Sequence, residues 1–279
     1  MSYSAEISRL NPSCFLFLID QSGSMSDPFG AGESSKSKAD AVADAINRLL
    51  SNLVIKCAKS EGVRDYYYVS VIGYGANVGT AFGGALSGRD FVPISEIGNT
   101  PSNIEERKKK IDDGAGGLVE QTTKFPIWFN AVANGGTPMC QALTLAQRML
   151  SGWLNQHPIC FPPVVINITD GESTDGDPSI PAESVKSLSS NDGNVLLFNL
   201  HLSSQRSIPI EFADTEDTLP DQFAKMLFSI SSFLPDYMRN FAQQEGYRVT
   251  ENTRGFVFNG NIESVIKFID IGTRPSNLR

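Results

Sequence analysis

The chain has 279 residues and a formal net charge of −8 at pH 7, and 41% of its residues are hydrophobic. A chain of this length buries a sizeable core, and this apolar fraction is typical of a soluble globular protein. Nucleic acids and anionic membrane surfaces both require clustered positive charge. The negative balance therefore argues against either of them as the main partner.

The sequence favours a cytoplasmic location. It contains no run of about 20 apolar residues that would span a bilayer, and MSYSAEISRL lacks the basic head and apolar centre of a secretory signal. Cys14, Cys57, Cys140 and Cys160 are widely spaced and form no CxxC pair. We expect all four to be small buried hydrophobes in a reducing compartment.

Predicted strands and helices alternate along the chain. Strands are expected where apolar and β-branched residues run together, at 14–19, 66–73, 164–170, 194–202 and 255–258. Helices are expected at 38–61, 138–154, 182–188, 221–230 and 236–244, and around Ile262, Val265, Ile266 and Ile269. This alternation predicts an α/β fold, doubly wound, with a mostly parallel central sheet and helices on both faces.

The region between 88 and 134 has the weakest pattern. The stretch 89–97 predicts a strand and a turn, 103–113 a polar helix ended by GAGG, and 118–129 a further strand-and-helix piece. The basic run Arg107–Lys110 is flanked by acidic residues, so we expect a solvated and internally balanced helix surface. No domain-sized core is evident here, which makes the region an elaboration of the main domain.

A polar motif follows the first predicted strand directly. Asp20 ends the apolar run, and Ser22 and Ser24 follow at alternate positions around Gly23. Residues two apart in an extended loop point the same way, so one carboxylate and two hydroxyls can face one point. Hard oxygen donors of this kind suit Mg2+. The alternative is that Asp20 and the serines only cap the following helix, since Ser and Asp are common capping residues.

Two further residues are expected at the same rim of the sheet. Asp170 ends a second buried strand, and Thr137 precedes Pro138 at the start of a helix. In open parallel sheets, ligands bind beyond the carboxyl ends of the strands. The coincidence of Asp20, Asp170 and Thr137 at that rim favours a ligand site over simple capping.

These motifs resemble those of the von Willebrand factor A (VWA) family. DQSGSM, GGTPM and ITDGESTD correspond in order to the three parts of its metal-ion-dependent adhesion site (MIDAS), and they look most like free-standing prokaryotic members related to the tellurite-resistance protein TerY. The resemblance implies Mg2+, with Mn2+ or Ca2+ as alternatives. It implies direct ligation by Ser22, Ser24 and Thr137, with Asp20 and Asp170 acting through bound water.

The resemblance also implies a function. The sixth metal position would take a Glu or Asp carboxylate of a partner protein, so the chain would be a non-catalytic binding module. By the same analogy, a protein kinase and a PP2C-type phosphatase encoded nearby would be partners in a bacterial stress-response or defence system. The four nearby acids Glu33, Glu172, Asp175 and Asp177 are expected to be loop residues and turn formers rather than internal occupants of that position.

The chain departs from the family in the long interval between Ser24 and Thr137. We therefore expect one VWA domain over 1–279, with a core of about 12–270 and an insertion at about 98–123 near the binding face. Because of this insertion, the partner of any relative cannot be transferred to this chain.

Enzyme functions are less well supported by the sequence. Ser22 stands where a phosphatase with a strand-end aspartate needs a second carboxylate as general acid. No P-loop or G-x-S-x-G motif is found, and His157 and His201 are the only histidines, too few for a zinc site alongside these cysteines. Two alternatives stay open, namely a metal-dependent phosphoester hydrolase and an adaptor subunit of a MoxR-type ATPase.

Overall fold

The computed structural model describes residues 3–29, 36–112, 118–202 and 209–260, together with Ser264, Lys267, Phe268, Asp270 and Ile271. Its strands are β1 Ser13–Asp20, β2 Ala58–Lys59, β3 Gly62–Val63, β4 Tyr67–Tyr74, β5 Val78–Thr80, β6 Val92–Pro93, β7 Asn103–Asp112, β8 Leu118–Ile127, β9 Val164–Thr169, β10 Ser189–Ser190, β11 Gly193–Asn194, β12 Leu196–Leu202, β13 Ile210–Glu211 and β14 Phe256–Gly260. Its helices are α1 Lys38–Cys57, α2 Ile94–Asn99, α3 Met139–Gln156, α4 Ser179–Lys186, α5 Gln222–Ile230 and α6 Asp236–Gln244, with short 3-10 helices at Gly23–Ser26 and Gly84–Leu86.

An eight-stranded sheet organises the chain, in the order β13-β14-β12-β9-β1-β4-β5, with β6 paired to β4. Strands β14, β12, β9, β1 and β4 run parallel to one another. The edge strands β13, β5 and β6 run antiparallel to the strands with which they pair. Parallel neighbours require crossovers, and helices supply them. The predicted α/β class with a mostly parallel sheet is confirmed.

Helices cover both faces of the sheet, because side chains that alternate along each strand must be buried on both sides. On one face, Phe15, Phe17 and Ile19 of β1 pack with the apolar sides of α1 and α6. On the other, Cys14, Leu16 and Leu18 pack with α3, α4 and α5. Strand β1, buried along its whole length, is thus the centre of two cores.

Most predicted elements are confirmed with shifted ends. Ile262, Val265, Ile266 and Ile269, predicted to form the apolar face of a last helix, lie outside the described residues. Cys14, Cys57 and Cys160 are buried as predicted, but Cys140 is only half-buried because it lies in the first turn of α3. Within the described residues, none of the helices combines the length and the apolarity that crossing a membrane requires.

The polar helix predicted at 103–113 is wrong. Residues 103–112 form β7, which pairs antiparallel with β8 from Asn103↔Ile127 to Asp112↔Leu118. The Glu and Lys residues of β7 favour a helix locally. Pro126 and the β-branched residues of β8 disfavour a helix in the partner segment, and contacts between the side chains of the two strands stabilise the hairpin. The guanidinium of Arg107 lies 3.7 Å from the centre of the Phe125 ring, and Lys108 pairs with Glu120 at 3.2 Å. The strand predicted within 118–129 is present, but the helix there is not.

Candidate functional site

The site lies at the carboxyl edge of the two central strands β1 and β9. These strands are adjacent and parallel, with Ile19 opposite Ile168, so their last residues emerge side by side. The hydroxyl of Thr169 donates a hydrogen bond of 2.7 Å to Oδ2 of Asp20. The sheet register therefore joins two polar segments that are 149 positions apart in the chain.

Asp20 is fully buried beneath this rim. Its Oδ1 accepts the backbone N–H of Ser22 at 2.8 Å, and its Oδ2 accepts the Thr169 hydroxyl. Burial raises the pKa of Asp20 to about 6, although the hydrogen bonds from Ser22 and Thr169 lower it. A carboxylate in such surroundings is ionised at a cost in free energy, which a neighbouring cation offsets.

Ser22 and Ser24 turn their hydroxyls toward each other. The two Oγ atoms are 3.0 Å apart, and the Ser24 hydroxyl donates a 2.7 Å hydrogen bond to Oδ1 of Asp170. Ser22 is the N-cap of the short helix Gly23–Ser26, yet its side chain makes no capping hydrogen bond. Capping alone, the alternative left open by the sequence, does not explain these side chains.

The loop that contains Thr137 contacts the segment around Ser22 and the segment around Asp170. The N–H of Gly23 donates to the carbonyl of Gly135 at 3.0 Å. Thr137 is 5% exposed, and its hydroxyl lies 3.8 Å from the point where a Cβ on Gly171 would stand, directly after Asp170. Gly135 itself has a φ of 89°, and a Cβ there would lie 2.4 Å from the Ala76 nitrogen, so only glycine fits this close approach.

Thr137 is fixed by a second contact. Its N–H donates to the Thr174 hydroxyl at 2.9 Å, and its carbonyl accepts the Thr174 N–H at the same distance. The loop that follows Asp170 thereby anchors the loop that enters α3. Three distant chain segments, which contain Ser22, Thr137 and Asp170, thus converge on one small region of the rim.

Asp170 pairs with a lysine that the sequence did not single out. Its Oδ2 lies 2.8 Å from Nζ of Lys38, and the side chains are 0% and 6% exposed for Asp170 and Lys38 respectively. Asp27 lies 3.6 Å from the same ammonium but is 55% exposed. Lys38 is the first residue of α1, where a cation opposes the helix dipole. This unfavourable position at the start of a helix was the signal in the sequence that could have singled out Lys38.

The geometry suits a small hard cation. The Oγ atoms of Ser22 and Ser24 and Oδ1 of Asp170 form a continuous chain of oxygen donors next to buried Asp20 and Thr137. Within the described part of the chain, no group of three or more His, Cys, Asp and Glu side chains is arranged to hold a metal. An ion at this rim would therefore depend on the hydroxyls, as Mg2+ with neutral oxygen ligands and water does.

The neighbouring acids have structural partners. Asp175 accepts the N–H groups of Cys140 and Gln141 at 3.0 and 2.9 Å, which caps the start of α3. Asp177 accepts the N–H and hydroxyl of Ser179 at 2.9 and 2.7 Å. Asp177 therefore acts as a turn former, as predicted, whereas Asp175 is a helix cap. Glu33 lies outside the described residues, and Glu172 is exposed.

The histidines are engaged in packing and backbone contacts. His201 stacks on Phe258 with ring centres 4.4 Å apart, and its Nδ1 accepts the Asn259 N–H at 3.2 Å. Burial lowers the pKa of His201 to about 4, although the nearby carboxylate of Asp170 raises it. His157 packs on Trp153 with ring centres 4.4 Å apart. Neither ring is placed as a free general base at the rim.

Comparisons with known proteins give structural neighbours only. No protein-family model and no curated protein matches the sequence. A von Willebrand factor type A protein from Catenulispora acidiphila is 14% identical with a TM-score of 0.42, over 79% of this chain and 36% of that chain. The mussel byssus protein PTMP1, with a zinc-occupied MIDAS motif, is 15% identical with a TM-score of 0.47, over 96% and 49%.

A third neighbour is the PilB minor pilin from Streptococcus sanguinis, 10% identical with a TM-score of 0.45, over 95% of this chain and 61% of that chain. This chain thus spans less than two thirds of each of the three proteins. At these identities, the similarity concerns the fold alone.

Proposed function

We propose that this chain is a non-catalytic protein-binding module that uses a divalent metal ion at the sheet rim to capture a carboxylate of its partner. The observation that supports this most directly is the run of contacts from Ser22 through Ser24 to Asp170. Two serines of one loop and an aspartate 146 positions after Ser24 meet there through their side-chain oxygens. We assign the metal to Ser22, Ser24 and Thr137, with Asp20 and Asp170 as outer carboxylates.

The chemistry of this donor set explains the proposed activity. Hydroxyl ligands are neutral, so a divalent ion bound by them stays electrophilic and attracts an anionic oxygen from outside. When Mg2+ is bound, it supplies the Lewis acid that such an oxygen binds. The protein residues hold the hydroxyls together, and the buried carboxylates balance the charge. Metal and partner should therefore bind cooperatively.

The experiment compares the metal-dependent capture of an acidic partner by wild type and rim variants. We expect Asp20→Ala and Thr137→Ala to abolish Mg2+ binding by calorimetry and partner capture in Mg2+, and EDTA to abolish capture by wild type. Thr144→Ala is the matched control, because this exposed hydroxyl on α3 bonds only to the carbonyl of Cys140 within its own helix. Capture that persists in EDTA would contradict the proposal.

The same proteins test the hydrolase alternative. Phosphomonoesters offered with Mg2+ or Mn2+ should not be turned over. Turnover that disappears in Ser22→Ala, without any protein partner, would replace the binding proposal with the hydrolase. Partner identity, whether a kinase, a PP2C-type phosphatase or a MoxR-type ATPase, rests on the family resemblance and is decided by pull-down with wild type and Asp20→Ala.

A further inference from the structure

Lys38 is an unusual residue in this site. Its side chain is 6% exposed, and its ammonium is bonded to the buried carboxylate of Asp170. Lys38 is also the first residue of α1, where the helix dipole repels a cation. Long lysine side chains ordinarily reach solvent, and burying the ammonium carries a desolvation cost. A cation held at this cost directly beside the proposed metal site calls for a functional explanation.

We propose that Lys38 sets the charge of the metal centre, so that the bound ion requires an anionic ligand. This inference rests on the proposed function. The buried charges at the rim are the carboxylates of Asp20 and Asp170 and the ammonium of Lys38. Asp27 also lies 3.6 Å from this ammonium, but its side chain is 55% exposed, so solvent screens its charge. A divalent ion cancels the two carboxylates, and Lys38 leaves the assembled centre with a positive charge that an external carboxylate neutralises.

The contacts of Asp170 give Lys38 a second effect on the same centre. Its Oδ1 accepts the Ser24 hydroxyl and its Oδ2 binds Lys38, so each oxygen has a protein partner. A carboxylate held in this way has less negative charge to offer an ion. Lys38 should thus weaken the binding of the metal alone and strengthen the binding of metal and anion together.

Two simpler roles for Lys38 make different predictions. If the ammonium only competes with the metal for the same carboxylate, its removal tightens metal binding and leaves the effect of an anion on metal binding unchanged. If it only neutralises Asp170 for folding, its removal lowers stability and changes neither binding step. Only a charge-setting role moves the two binding steps in opposite directions.

The experiment measures Mg2+ affinity by calorimetry in sodium chloride and in sodium acetate of equal ionic strength, with acetate as the anionic probe. We expect Lys38→Met to bind Mg2+ on the order of tenfold more tightly in chloride, since a like charge has been removed. Acetate should tighten Mg2+ binding by wild type and have little effect on Lys38→Met. Lys38→Arg, which keeps the charge, should behave like wild type.

Lys56→Met is the control for net charge, because Lys56 is 51% exposed in the last turn of the same helix. It should match wild type in both salts. If Lys38→Met does not fold, Lys38→Gln replaces it, since an amide still donates to Asp170.

Equal tightening by acetate in wild type and Lys38→Met would overturn this inference while leaving the metal site intact. No Mg2+ binding by wild type would instead overturn the proposed function, and the inference with it.

Discussion

Two polar clusters lie on the same sheet and differ in how completely they are closed. The core cluster runs from the hydroxyl of Tyr74 to Asn167 at 2.6 Å, on to Asn199 at 2.9 Å, and on to Ser231 at 2.9 Å. All four residues are fully buried and neutral. The rim cluster contains two carboxylates and lies beyond the carboxyl ends of the central strands. It consists of Asp20, Ser22, Ser24, Thr137 and Asp170.

The difference indicates what each cluster is for. Ser231 ends the core cluster by donating to the Leu227 carbonyl at 2.7 Å, so the cluster is closed by backbone and needs no ligand. At the rim, by contrast, the carboxylates of Asp20 and Asp170 introduce charge, and Asp170 pairs with the ammonium of Lys38. Ser24 donates its proton to Asp170, so Ser22 donates to Ser24 and keeps oxygen lone pairs that can bind a cation. A closed neutral network rigidifies a core, whereas a charged one with lone pairs left over is suited to a cation.

Breaking the core cluster should have the largest effect on folding. Asn167→Ala removes a hydrogen-bond partner of both Tyr74 and Asn199 in the buried core, and we expect a loss of about 3 kcal/mol in the free energy of unfolding. Urea denaturation in EDTA measures it. The Mg2+ affinity of the folded variant should stay that of wild type.

Ser24→Ala is the counterpart of that variant at the rim. It should lose Mg2+ binding and cost less than about 1 kcal/mol of stability. If both variants lower stability equally and both keep their metal, the two clusters do not differ in role.

Metal addition should stabilise the protein through the rim alone. At a Mg2+ concentration of a hundred times its dissociation constant, we expect the free energy of unfolding to rise by about 2.7 kcal/mol. Thr137→Ala should show no rise, and the control Thr144→Ala should show all of it. Thermal or urea unfolding with and without EDTA measures the difference. An equal rise in Thr137→Ala would show that the ion binds elsewhere.

Acid should destabilise the fold through His201, which lies near the end of β12 opposite Thr169 of β9. The pKa of His201 is lowered to about 4 in the folded chain, below its ordinary value of about 6.5. The unfolded chain takes up the proton first, so this stability is complete above pH 6.5 and is lost as the pH falls toward 4. Between pH 7 and pH 5 we expect a loss of about 2 kcal/mol.

The measurement is urea unfolding at several pH values in EDTA. Gln at position 201 does not titrate. The free energy of unfolding of His201→Gln should therefore fall less steeply below pH 6.5 than that of wild type. His157→Gln is the control, because burial lowers the pKa of His157 by less and that ring is partly exposed. If His201→Gln loses as much stability in acid as wild type does, His201 is not the source of the loss.

The rim residues were predictable from sequence because strand ends carry strong local signals. An apolar run that stops at Asp20 or Asp170 marks the end of a buried strand, and parallel strands end at the same edge. Lys38 and Thr169 were missed, since their roles depend on side-chain contacts to residues 132 and 149 positions away. The signal for Lys38 was its place in the first turn of a helix.

The hairpin β7–β8 was not predictable in the same way. Residues 103–112 are rich in Glu and Lys, which favour helix, and they lack an apolar face of either period. The strand is specified by its partner, through pairs such as Lys108 with Glu120 and the Arg107 contact with Phe125. Non-local pairing overrides local preference here, and a single chain segment does not reveal it.

The smallest expected effect concerns the attachment of this hairpin to α1. Arg107 donates to Oδ1 of Asp44 at 2.7 Å while its guanidinium covers Phe125. A two-stranded hairpin is at best marginally stable alone, and a partly exposed ion pair contributes less than about 1 kcal/mol. We expect Arg107→Ala to lower global stability by less than about 1 kcal/mol and to speed hydrogen exchange in β7 and β8 selectively.

Lys108→Ala is the matched control, because Lys108 is 72% exposed and pairs with Glu120 inside the hairpin. Hydrogen exchange followed by mass spectrometry should show a smaller change for it than for Arg107→Ala. A loss of global stability in Arg107→Ala as large as that of Asn167→Ala would mean that the hairpin is part of the core rather than an attachment to it. Selective exchange would instead mean that α1 holds the hairpin through Asp44, and that the hairpin is an attachment to the core.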